Sequence, residues 1–179
     1  MKHLAIALAL FGMSVAAADD SVLRTVEARR AADRAMALEL WNWAEVGYQE
    51  VQSSARLQKE LRDAGFTIRT GVAEMPTAFV AEYGSGKPVI GILAEMDALP
   101  GVSQAAVPER SPLRGRISGH ACGHHLFGTA STSAGIALKN WLASNRRSGT
   151  IRIYGTPAEE GGAGKAYMVR AGLFDDVDV

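Results

Sequence analysis

The sequence predicts an α/β protein built on a mixed, mostly parallel sheet flanked by helices. Three observations carry that expectation. Two stretches with helical apolar spacing are followed by two short apolar runs and then by helix, strand and helix in turn, the order that layers helices onto a sheet. The run Val89-Ile90-Gly91-Ile92-Leu93-Ala94 is continuously apolar, as in a strand covered on both faces. The composition is globular: 179 residues, 47% hydrophobic, 21% charged and 7% aromatic.

Residues 1–18 read as a secretory signal peptide. Lys2 and His3 make a polar start, Leu4 to Val15 is apolar apart from Gly12 and Ser14, and Ala16, Ala17 and Ala18 precede Asp19 and Asp20. About twelve apolar residues fall short of the roughly 20 that a membrane-spanning helix needs. Cleavage near Ala18 and export, periplasmic or secreted, are therefore expected, with no membrane association afterwards.

Asp20 or Ser21 can cap a helix carrying Val22, Ala28, Ala31, Ala35 and Leu38 towards Trp41 and Trp43. Gly47 interrupts it. Ser53 and Ser54 restart a second helix with Leu57, Leu61 and Ala64, closed by Gly65. Phe66 to Thr70 reads as extended. Ala78 to Tyr83 and Pro88 to Ala94 fit two strands joined by a turn at Gly84-Ser85-Gly86-Lys87. Pro100 to Gly119, without apolar period, is a long loop of the kind that often carries function. Leu126 to Leu142 is a helix, Thr150 to Gly155 a strand, Lys165 to Ala171 a short helix, and Phe174 to Val179 looks like the start of another strand.

Nineteen basic against nineteen acidic residues leave no field favouring nucleic acid or anionic lipid. No phosphate-binding glycine loop, serine nucleophile elbow or basic-aromatic stripe is present. The chemistry concentrates instead in Gly119-His120-Ala121-Cys122-Gly123-His124-His125, which holds three of the four histidines and the single cysteine. In an extended segment His120, Cys122 and His124 point the same way. A thiolate with imidazoles suits Zn²⁺ or another borderline ion rather than Mg²⁺ or Ca²⁺. The competing reading is a bystander cysteine beside locally packed histidines, and the density of donors favours the metal.

Two acidic motifs sit at strand ends, where α/β sheets place their sites. In Thr156-Pro157-Ala158-Glu159-Glu160-Gly161-Gly162 the adjacent carboxylates repel, and a cation relieves that repulsion: one can ligate while the other takes a proton from water. In Glu95-Met96-Asp97, period-two geometry puts both carboxylates on one side. The plain alternatives are a solvated acidic turn for the first motif and a polar strand end facing solvent for the second.

Ala94-Glu95-Met96-Asp97-Ala98-Leu99-Pro100, His120-Ala121-Cys122-Gly123-His124 and Pro157-Ala158-Glu159-Glu160-Gly161-Gly162, in this order, resemble the N-terminal half of the metal-dependent N-acyl-amino-acid amidohydrolases. That group includes hippurate hydrolases, auxin-conjugate hydrolases and aminobenzoyl-glutamate hydrolases, and the pattern is nearest to the B-type subunit of the last. The resemblance covers nearly all of residues 30–179. It implies an incomplete zinc-peptidase-like catalytic domain over 19–179, with the lid and dimerisation domain and the C-terminal part absent. It implies Cys122, His124 and Glu160 as metal ligands, Glu159 as general base and Asp97 in support; His120 and His125 are added as supporting candidates from the histidine–cysteine cluster itself. His125 stands where many relatives carry Asp, and Glu95 where Asp is common.

The resemblance further implies two divalent metal ions, Zn or Mn, and hydrolysis of the amide of an N-acyl amino acid or dipeptide-like substrate. The complete form is expected as a homodimer or hetero-oligomer with no nucleic-acid partner. Because the family supplies further histidine ligands beyond the position of Val179, this chain alone is expected to be an inactive N-terminal fragment. A dipeptidase or carboxypeptidase of the same chemistry, and a non-catalytic metal-binding remnant, are the alternatives.

Overall fold

The computed structural model describes residues 20–179, and the expected signal peptide lies outside the described residues. The helices and strands follow in chain order: α1 (Ser21–Trp43), α2 (Val51–Asp63), β1 (Thr67–Thr70), β2 (Phe79–Ser85), β3 (Val89–Glu95), β4 (Leu99–Pro100), β5 (Ser118–Gly119), α3 (His124–Asn145), β6 (Gly149–Thr156) and α4 (Gly164–Arg170). Asp20 occupies the cap position of α1 but makes no side-chain capping bond. α2 starts two residues before the serines, because the Glu45 carboxylate accepts the Gln52 and Ser53 backbone N–H groups at 3.0 and 2.8 Å and so serves as its cap.

The main sheet has the order β1-β2-β6-β3. It is mixed and flanked by helices, as the pattern predicts, but only β3 and β6 are parallel, while β1 with β2 and β2 with β6 are antiparallel. The strands on either side of the Gly84–Lys87 turn do not pair with each other. β6 inserts between them, since the β3–α3–β6 crossover returns the chain parallel to β3. Buried at every position but Arg152, β6 has the composition for that central place.

Period-two alternation splits the core. Phe79, Ala81, Ile151 and Ile153 face Met36, Leu40, Leu57, Leu61 and Ile136 of the three long helices. Val80 and Tyr154 face Met75, Met168 and, at the margin, Leu93, Phe174 and Val177. β3 is thus covered on both faces yet lies at the sheet edge. The tail does not form the expected strand: residues 174–177 turn, and only Asp178 and Val179 bond to Val89 and Gly91 on the outer edge of β3. The short β4–β5 ladder closes the long loop. Among the described residues no helix is long and apolar enough to cross a membrane.

Candidate metal centre

Parallel registry of β3 with β6 pairs Ala94 with Gly155 and Glu95 with Thr156, so the two acidic motifs leave the sheet side by side. The first turn of α3 arrives at the same edge. Gly128 permits that approach, because a Cβ there would lie 2.5 Å from the Glu95 carbonyl oxygen.

His124 is the hub. Its Nδ1 lies 3.0 Å from Asp97 Oδ1 and 3.1 Å from the Asp97 carbonyl oxygen. With Nδ1 engaged there, Nε2 faces three carboxylates: Glu95 at 3.0 Å, Glu159 at 3.8 Å and Glu160 at 3.9 Å. Asp97, 1% exposed, uses its other oxygen to accept the Glu160 backbone N–H at 3.0 Å. One buried carboxylate thereby orients both an imidazole and the acidic turn. Lys165 pairs with the far oxygen of Glu95.

Cys122 Sγ, a His124 ring nitrogen and a Glu160 carboxylate oxygen lie within 4.8 Å of one another. The Cys122 thiol is pushed up from its ordinary pKa, first by its hydrogen bond to Glu160 and then by the Glu160 charge, with burial, Glu159 and Glu95 adding smaller effects. Glu160 Oε1 is buried with no hydrogen-bond partner. Such an atom is costly as it stands, and a cation satisfies it while favouring the thiolate. Thiolate, imidazole and carboxylate together fit a borderline ion such as Zn²⁺.

His120 does not share this point. The segment bends at Ala121, whose N–H bonds to the Gly119 carbonyl, and the extended alternation stops there. The His120 ring instead has Nε2 3.1 Å from the Leu40 carbonyl oxygen and stacks on Trp41. Burial lowers its pKa to about 4 and keeps it neutral. His125 follows His124 on α3 and so points elsewhere, packing on Trp41 and His120 with ring centroids 4.9 Å apart in each case. Both histidines form an aromatic wall behind the cluster. Glu50, Tyr48 and Lys165 also reach the site or its turns, and the sequence reading missed them because they carry no motif; Glu50 is fully buried, and nothing in its neighbours marks it.

Residues 91–179 match Peptidase family M20/M25/M40. The chain is 46% identical over 154 residues to the B-type subunit of p-aminobenzoyl-glutamate hydrolase from Escherichia coli (strain K12), covering 86% of this chain and 32% of that protein. With an IAA-amino acid hydrolase of Arabidopsis thaliana it shares 34% identity over 134 residues, 74% of this chain and 29% of the other. A solved Bacillus subtilis structure, described as a dinuclear metal binding peptidase from the M20 family, matches with TM-score 0.65 at 28% identity, covering 84% of this chain and 42% of that one. The chain spans about a third of the length of these curated relatives.

Proposed function

The chain belongs to peptidase family M20/M25/M40 through residues 91–179, and from that premise we propose that Cys122, His124 and Glu160 hold a divalent cation, zinc or manganese, at a centre for amide hydrolysis. The observation that carries this reading is the convergence of the three donor atoms within 4.8 Å of one another. When bound, the cation supplies Lewis-acid polarisation of the scissile carbonyl and lowers the pKa of a nearby water.

The residues of the chain divide the remaining work. Asp97 holds Nδ1 of His124 and leaves Nε2 as the donor. Glu159, with its side chain 41% exposed and 3.8 Å from Nε2, faces the open side and serves as the general base that takes a proton from water and returns it to the leaving amine. The substrate class is an N-acyl amino acid, aminobenzoyl-glutamate-like, in keeping with the names of the relatives.

Two cations need more donors than Cys122, His124 and Glu160 provide. The complete form, exported after loss of residues 1–18, holds two ions and assembles as a homodimer or hetero-oligomer; the dinuclear neighbour supports the first part, and the relative named as one subunit of a hydrolase supports the second. Residues 1–179 alone bind one ion and do not turn over substrate. Elemental analysis of the chain dialysed against Zn²⁺ tests the donor set: one ion per chain is expected, with affinity at least about tenfold lower in Cys122→Ala, and equal metal content in both would remove the thiol from the site.

A further inference from the structure

The turn between α1 and α2 has no part in the chemistry above, yet it touches both acidic motifs. The Glu45 carbonyl accepts the Ala98 N–H at 2.8 Å. Gly47 packs so closely on Ala158 that a Cβ would come within 2.8 Å of the alanine Cβ. Tyr48 donates its hydroxyl to the Gly162 carbonyl at 2.6 Å. Glu50, fully buried, accepts the Ala158 N–H on Oε1 and the Thr77 hydroxyl on Oε2, both at 2.8 Å.

Ala158 is the residue before the carboxylate pair, and it has φ +55°, a left-handed conformation that a residue with a Cβ keeps only where its surroundings impose it. Glu50 and Gly47 are those surroundings. A buried carboxylate is retained at a cost, since burial pushes Glu50 above its ordinary pKa against the hydrogen bonds that it accepts. The α1–α2 turn therefore grips the Pro157–Gly162 turn at Ala158 and at Gly162, on both sides of Glu159 and Glu160.

We propose that Glu50 is a positioning residue: by fixing the peptide at Ala158 it sets the aim of Glu159 and Glu160, so that the Cys122–His124–Glu160 donors are arranged before a cation arrives. This rests on the donor assignment above.

The test uses residues 1–179 with Co²⁺ alone as probe, and amide hydrogen exchange without metal. Glu50→Ala should weaken Co²⁺ binding by about tenfold or more, the scale for residues that orient ligands. Glu50→Gln, which keeps an acceptor for the Ala158 N–H, should stay within about threefold of the parent on the same scale. Exchange in Glu50→Ala should quicken at residues 158–162 beyond any change in β6. A folded Glu50→Ala variant with parental Co²⁺ affinity, or with protection lost evenly across the sheet, overturns the proposal. If Glu50→Ala does not fold, Tyr48→Phe reads the same clamp from the surface: faster exchange at residues 158–162 supports it, and an unchanged pattern overturns it. Failure of the donor assignment is separately visible, because Cys122→Ser would then leave Co²⁺ binding intact while the exchange comparison still decides the role of Glu50.

Discussion

Asp97 Oδ1 lies 3.0 Å from Nδ1 of His124, and the second oxygen of the same carboxylate accepts the Glu160 N–H at the same distance. An imidazole from α3 and a carboxylate from the turn after β6 are thus oriented by one side chain from the end of β3. Asp97→Asn keeps the shape but replaces one acceptor by a donor, so one of the two contacts must fail. Cation affinity should fall by about 10- to 100-fold, read by equilibrium dialysis with Zn²⁺, with the fold retained by circular dichroism. Unchanged affinity would reduce Asp97 to a packing residue.

The adjacent carboxylates should separate by phenotype. Glu160 holds the buried, unpartnered oxygen and Glu159 the exposed side chain. Glu160→Gln should lose the cation, whereas Glu159→Gln should retain it and, in any form of the protein that turns over substrate, lose activity by about 10²- to 10⁴-fold. Metal analysis with steady-state kinetics on an N-acyl amino acid checks both. Reversed phenotypes would exchange the roles.

Gly128 sets helix propensity against packing. Alanine is favoured over glycine in a helix interior by about 1 kcal/mol, but its Cβ would meet the Glu95 carbonyl oxygen at 2.5 Å and Leu57 Cδ1 at 3.1 Å. Overpacking costs about 1–3 kcal/mol and the nearer contact is backbone, so the clash wins. Gly128→Ala should lower the urea midpoint, and a raised midpoint would show that α3 is free to shift away from β3.

Acid should loosen the tail. Asp176 is held below its ordinary pKa chiefly by the Arg152 hydrogen bond, and Asp178 chiefly by the Val89 N–H. A carboxyl lowered in the fold stabilises it fully above its unfolded value, here 3.8, and that contribution is lost as pH falls through the lowered value. The urea midpoint should therefore drop more steeply below about pH 4 in the parent than in an Asp176→Asn, Asp178→Asn double variant. Parallel curves would mean that neither aspartate docks the tail.

Much of this was legible in the residues. The helical spacing of α1, α2 and α3 and the apolar runs of β2, β3 and β6 locate the elements, because burying one face leaves a period in the sequence. Cys122 and His124 share a short segment, and Glu160 announces itself by its charged neighbour. Strand pairing was less legible: β6 displaces the local β2–β3 pairing because its crossover partner is chosen by three-dimensional packing, which leaves no trace in the turn between them. His120 shows the same limit. Its alternation with Cys122 holds only while the chain is extended, and the bend at Ala121 turns the ring toward Trp41. Glu50 and Tyr48 act through backbone groups more than a hundred residues away, and no local pattern reports that.

Titration of residues 1–179 with Co²⁺, followed by the thiolate-to-cobalt charge-transfer absorption in the near ultraviolet, addresses the Cys122–His124–Glu160 centre most directly. The geometry predicts a band that saturates at about one equivalent, as for a single site of one thiolate, one imidazole and one carboxylate, and that vanishes in Cys122→Ser. Saturable binding with no such band, or one that survives the loss of Cys122, would contradict the assignment of this cluster as the metal centre.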